Sequence, residues 1–266
     1  MKYKQTYFLA RKRIRKEELK RSKKFNTLVN KFLSELWYSF FLYSLFNLYK
    51  TNPKKNPILL KFDVWEESSV RLSKIRHLPF LIKKIFKPGK IFFIDIDRKL
   101  IKLARKNIGY FGFNNAVFVN KSITKMPFQN NLFDFIIDFS TTDHLNKHEL
   151  EQAIKEIHRV LKKDGTVIIY HMNSDYFNIR KFNYHYKKEL FPSYPRKLKT
   201  LKRLLRDKFQ LVESKYCLPF FADSTLFLHY RFLYNKIYKI MPRQFIFSFF
   251  NSPKLNLFFY IIAKKL

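Results

Sequence analysis

Apolar residues fall in two kinds of run along this chain, and each kind predicts a different element. Continuous runs occur at 57–63 (PILLKFD), 91–95 (IFFID), 133–139 (FDFIIDF) and 166–170 (TVIIY). Little polar alternation interrupts them, as expected for strands covered on both faces in a parallel sheet. Shorter pieces at 116–119, 210–216 and 258–263 read as further strands. Between them the apolar positions recur at helical spacing, in RKLIKLARKNI after Asp97, at 147–162 and at 195–209. A helix is also expected over 66–86, broken near Pro79. Asp97 suits an N-cap, because its carboxylate can accept from the first free backbone N–H groups. Turn signals separate the elements: NPKKN at 52–56, Pro88-Gly89, a loop from Gly109 to Gly112, and Asp164-Gly165. Strands alternating with helices predict an α/β fold with a doubly wound sheet.

Two regions stand outside that rhythm. Residues 1–52 form an N-terminal extension, basic at first (RKRIRKEELKRSKK) and then apolar from 32 to 49 (FLSELWYSFFLYSLFNLY). On a helix Leu33, Leu36, Trp37, Phe40, Phe41, Leu45 and Leu48 gather on one side. The expectation is a helix capping the ligand cleft, with contact at a membrane interface or a membrane span as alternatives. Glu35 and Asn47 count against a span, which needs about 20 apolar residues. A basic segment before an apolar one resembles a signal peptide, but the basic part is too long and no small-residue cleavage site follows. The second region is an insertion at 217–257, inside the domain that runs from 53 to 266. Pro219, Pro242 and Pro253 divide it, which excludes one long helix and suggests a lid or a membrane-facing cover.

Composition adds one strong signal. Lys+Arg number 54 and Asp+Glu 20, a net charge of +34. Such a field attracts nucleic acid or an anionic membrane surface, unless biased base composition produced it. Cys217 is alone in the sequence, so no internal disulfide forms, which fits a reducing, cytoplasmic compartment or the inner face of the membrane. His77, His148, His158, His171, His185 and His229 show no metal-ligand spacing, and no metal is expected.

The chemistry starts at IFFIDID. An acid at the carboxyl end of a buried parallel strand sits where open α/β sheets bind ligands, and Asp95 there can accept hydrogen bonds from ribose hydroxyls. Three further blocks follow in order: MPFQNNLFDFIIDFSTTDHL, EIHRVLKKDGTVII, and the closing pair FQLVESKY and FFYIIAKK. With FIDIDRKLIKLAR they resemble class I S-adenosylmethionine-dependent methyltransferases of the small-molecule type, over residues 57–265 and most strongly from Gly89 to Tyr170. The resemblance implies a Rossmann-like, seven-stranded sheet with an antiparallel last strand, and S-adenosyl-L-methionine as cofactor.

Carried over by position, Asp95 would hold the ribose and Ile96 would line the adenine. Ser122, in VNKSITKMPF, stands where an acid usually receives the adenine amino group, with Ile123 packing on the ring. Asp138 and Phe139 would lie where the methionine part of the cofactor meets the substrate. Asp134 is expected to fix the turn into its strand. The family's glycine-rich loop after the first strand is missing; LLKFDVWEESS stands there, similar to a K-x-D-[LV]-W-x-E pattern in a subset of these enzymes. Asp63 or Glu66 would meet the cofactor's ammonium group, and Glu67 and Ser68 would cap the next helix. The rival reading is a decayed, non-binding loop.

His144, in STTDHL, is the candidate general base, with Asp143 either orienting it or capping the helix that follows. The expected function is methyl transfer to a small or lipid-like acceptor. An RNA methyltransferase using the basic arm, and a non-catalytic protein at a membrane surface, are the alternatives.

Overall fold

A computed structural model of the chain describes residues 27–70, 77–179, 193–219, 252–254 and 256–266; of 27–36, 177–179, 218 and 219 it gives the backbone alone. The basic arm before residue 27 and nearly all of the 217–257 insertion, with His185 and His229, lie outside the described residues. Seven strands form one sheet: β1 (Ile58–Phe62), β2 (Lys90–Asp95), β3 (Ala116–Asn120), β4 (Phe133–Phe139), β5 (Leu161–Met172), β6 (Phe209–Pro219) and β7 (Asn256–Lys265). Their order is β3-β2-β1-β4-β5-β7-β6. β1 to β5 run parallel, and β7 lies antiparallel between β5 and β6. The expected doubly wound sheet with an antiparallel last strand is the one observed.

Alternation along the strands splits the core into two layers. Leu59 on β1 joins a cluster with α1 (Thr27–Thr51), α2 (Leu78–Phe86) and α3 (Arg98–Asn107). Leu60 and Phe62 face the other way, toward α4 (Lys147–Val160) and α6 (Leu198–Leu205). A short α5 (Ser174–Ile179) follows β5. Lys61, between Leu60 and Phe62, therefore points into the first layer, and it is fully buried there.

The N-terminal apolar helix exists, and it lies along the face of the sheet. Phe40, Phe41, Leu45 and Leu48 are at most 2% exposed and belong to the same core as β1. Trp37 meets Phe139 at the end of β4, while Tyr49 meets Phe135 near its start and Thr51 bonds Thr166. α1 thus runs antiparallel to the central strands, across the face of the sheet. The physical reason is the width of its apolar stripe, which matches the sheet face that α2 and α3 leave uncovered. No described helix is long and apolar enough to cross a membrane.

The helix expected over 66–86 is described in part: Val70 is helical, residues 71–76 lie outside the described residues, and a separate helix begins at Leu78. Residues 64–69 make turns, with Ser68 N donating to Val64 O and Ser69 N to Glu66 O. α2 starts at Leu78 with Pro79 in its first turn, where a missing N–H costs nothing. Asp97 caps α3 as expected, accepting from Lys99 N and Leu100 N. α4 is capped by Asn146 in a capping box with Glu149, so Asp143 has another task. Cys217 is buried near the end of β6, opposite Phe258 of β7.

Candidate active site

Strand order reverses between β1 and β4, so the crevice of the sheet opens at the carboxyl ends of these two strands. Register sets two carboxylates level there. Phe62 pairs with Ile94 and with Asp138, which puts Asp63 beside Asp95 at the edge and Asp138 one residue behind them.

On the β2 side the site is built by backbone bonds. Asp95 Oδ1 accepts from Asp97 N at 2.8 Å and Oδ2 from Val64 N at 3.2 Å, so the first-strand loop and the α3 cap both orient it. Asn120 Nδ2 donates to Asp95 O at 2.9 Å, tying β3 to the same point. Beside it Ile96 is 50% exposed, an apolar side chain offered to the crevice, and Ile123 is buried. Ser122 Oγ shares a 2.8 Å hydrogen bond with Thr124 Oγ1 and accepts from Thr124 N.

The β1 loop is built by charge. Lys61 Nζ bonds Glu67 Oε2 at 3.0 Å, Asp63 O at 3.1 Å and Glu66 Oε2 at 3.4 Å. Burial works against its charge, yet Glu67, Asp63 and Glu66 outweigh that, and Lys61 ends well above the ordinary lysine value. Burial pushes Glu67 up to about 7, against the pull of Lys61. Glu67 Oε1 is buried with no hydrogen-bond partner among the described residues. Glu67 is spent on Lys61 and Ser68 Oγ donates to Trp65 O; the helical turn entered at Val70, which the two were expected to cap, lies otherwise outside the described residues. Asp63 itself takes a left-handed turn (φ 62) and accepts from Trp65 N. That conformation is ordinary for glycine and tolerated by Asp.

At the β4 end Asp138 is fully buried, accepting from Thr142 Oγ1 at 2.6 Å and Thr141 N at 2.9 Å. Burial pushes it up to about 6 despite the Thr142 bond, and the charge of Asp143 adds to the rise. Thr141 Oγ1, next to it, is buried and has no partner among the described residues. Phe139 packs edge-on to Trp37 and stacks on Phe258, giving this end an aromatic wall.

Asp143 neither caps α4 nor bonds His144. Its carboxylate takes His171 Nδ1 at 2.9 Å, Met172 N at 3.0 Å and Ser140 Oγ. Burial pushes Asp143 up, but His171 and Ser140 outweigh it and hold the carboxyl below its usual range. His171 Nε2 faces Arg196 Nη1 at 3.3 Å, so Arg196 donates there and Nδ1–H donates to Asp143. No sequence pattern assigns His171 a role; its place near the end of a central strand is the available signal. His144 is half-buried, with Nδ1 3.5 Å from Ser193 Oγ. His77 heads α2 at φ 59, edge-on to Tyr38, and burial lowers its pKa. Asp134, as expected, is structural: it holds Lys54, Lys162 and the N–H of Ile58 at the start of β1. Among the described residues no cluster of three or more His, Cys, Asp or Glu is placed to hold a metal.

A family model described as "Methyltransferase domain" matches residues 76–165. Those residues, about a third of the chain, are similar to a methyltransferase domain. The chain is 27% identical over 167 residues to a ubiquinone/menaquinone biosynthesis C-methyltransferase of Wigglesworthia glossinidia brevipalpis, covering 62% of this chain and 55% of that one. The same-named enzyme of Escherichia fergusonii is 34% identical over 85 residues, 30% of this chain and 32% of the relative. The match thus spans about half the length, or less, of these curated relatives. Among solved structures, the N-methyltransferase NodS of Bradyrhizobium japonicum, in complex with S-adenosyl-L-homocysteine, aligns over 86% of this chain and 87% of its own at a TM-score of 0.54 and 11% identity. A SAM-dependent methyltransferase of Methanosarcina mazei aligns over 80% and 94% at a TM-score of 0.53 and 18% identity. At such identities the structural likeness speaks for the methyltransferase fold.

Proposed function

We propose that the protein transfers a methyl group from S-adenosylmethionine to a small, apolar acceptor. The observation that carries this reading is Asp95: a nearly sealed carboxylate, aligned by two backbone N–H groups, beside an exposed Ile96 at the reversal point of the sheet. The donor set fits an adenosine. Asp95 takes the ribose hydroxyls, Ile96 and Ile123 face the adenine ring, and Ser122 lies toward its amino group. The Thr141 hydroxyl, orphaned among the described residues, supplies a further polar atom at the opposite end, next to Asp138 and Phe139. Of the acids after β1, Asp63 is the one with exposure, 14% against at most 1% for Glu66 and Glu67, so Asp63 rather than Glu66 meets an ammonium group.

The bound cofactor supplies an electrophilic methyl on a sulfonium, whose leaving group departs neutral. The protein's part is alignment and the exclusion of water. Trp37, Phe139 and Phe258 favour an acceptor with an apolar or aromatic body, in keeping with the ubiquinone/menaquinone biosynthesis for which the curated relatives are named. A carbon or hydroxyl nucleophile also loses a proton, and His144 at the mouth is the base that would take it.

Calorimetry with S-adenosylmethionine tests the reading, and no heat at millimolar ligand would remove it. Asp95→Ala should weaken binding by about 1–3 kcal/mol, as for a lost charge-assisted hydrogen bond.

A further inference from the structure

The loop after β1 has no glycine, and a buried charge cluster stands in its place. Lys61 is fully buried in the middle of a parallel strand, and it gathers three carboxylates from the stretch of chain that follows it. Buried charges are stable only when they are matched, and among the described residues Lys61 is a cation that meets Glu66 and Glu67 below the surface. Glu66 and Glu67 are sealed, and Asp63 is where the cluster reaches the crevice.

Geometry gives the cluster a second task. Lys61 Nζ bonds the main-chain oxygen of Asp63, the residue in the left-handed turn. Asp63 Oδ1 accepts from Trp65 N, Val64 N donates to Asp95, and Asn107 Nδ2 holds Glu67 O. The loop is thereby clamped from strand, helix and neighbouring acid at once. In a glycine-rich loop the backbone approaches a ligand because side chains are missing. Here the side chains are present but drawn inward, onto the lysine.

We propose that the Lys61–Glu66–Glu67 cluster is a charge-built substitute for the glycine-rich loop: it holds Asp63 in its turn and makes it the receptor for the ammonium of the cofactor's amino-acid end. Lys61 acts here as a positioning residue. The inference rests on the cofactor reading above, and a carboxylate presented at the crevice makes the site selective for a ligand that brings a cation.

The test compares two ligands by calorimetry, S-adenosylhomocysteine and methylthioadenosine, which share the nucleoside but differ in the amino-acid end. Wild-type protein should prefer S-adenosylhomocysteine. Asp63→Asn should cut that preference roughly ten- to a hundredfold, the worth of one charge-assisted hydrogen bond, with methylthioadenosine affinity unchanged. The variant Lys61→Met/Glu66→Gln/Glu67→Gln keeps side-chain volumes and removes the buried charge, a change that proteins often tolerate. It should lose the same preference. If both ligands weaken equally in these variants, or if the preference survives, the cluster is merely structural and the proposal falls. Should the triple variant not fold, Asp63→Asn decides alone. Wild-type protein that binds neither ligand would instead remove the cofactor reading itself.

Discussion

The two ends of the crevice are built on different physics. Around β2 and β3, Asp95, Asp97 and Ser122 are held by backbone N–H groups a few residues away, with one longer-range bond from Val64 N to Asp95, and an exposed Ile96 completes the surface. Around β1, β4 and β5 the work is done by polar and charged side chains buried far from water: Lys61 with Glu66 and Glu67, and Asp143 with His171. Local hydrogen bonds need little from the rest of the fold. Buried charges need every partner, because removing one leaves the other uncompensated in a medium of low polarity. The nucleoside end should therefore tolerate change, and the amino-acid and acceptor end should not.

The contrast can be broken at its strongest point first. Lys61→Met alone leaves Glu66 and Glu67 buried without this cation and should destabilise the protein by about 3–5 kcal/mol, measured by urea unfolding. A loss no larger than that of a surface substitution would show that water or a proton relieves the cluster.

Acidity sharpens the contrast with a smaller effect. Glu67 and Asp138 both have folded values above the ordinary carboxylate range, at about 7 and about 6. The folded form holds these protons more tightly than the unfolded one, so the stability they contribute is full in acid and lost as pH rises through those values. The melting temperature should fall as pH climbs from about 4 to about 7, since each tenfold gain in proton affinity on folding is worth roughly 1.4 kcal/mol. Glu67→Gln should flatten the upper part of that slope; an unchanged slope would assign the titration elsewhere.

The smallest effect belongs to the nucleoside end. Asp97→Ala removes the α3 cap and should cost about 1 kcal/mol by urea unfolding. A cost as large as that of Lys61→Met would erase the distinction between the two halves.

The same division explains what is readable in the sequence. Strands, their acids and the α3 cap are local patterns: IFFID ends on Asp95, and Asp97 sits one residue before the helix it caps. The charged end draws on residues that spacing does not connect. Asp143 lies next to His144 in the chain, yet the fold gives it to His171, far along the chain at the end of the strand beside β4. Lys61 reads as an ordinary polar interruption of an apolar run, and its burial follows from strand alternation that points it into the first core layer. α1 is legible as a helix, but its docking site requires the aromatic faces of Phe139, Tyr170 and Tyr260 to be brought together.

Cys217 turns that packing into something that can be timed. Its thiol is sealed in the first core layer, and burial raises its pKa well above the usual value, so thiolate is scarce in the closed state. Its strand neighbour Phe258 stacks on Phe139 of the acceptor wall. A thiol-reactive dye can label this cysteine once that layer opens. As the sequence holds no other cysteine, labelling kinetics followed with and without ligand would act as a stopwatch for breathing at the acceptor wall.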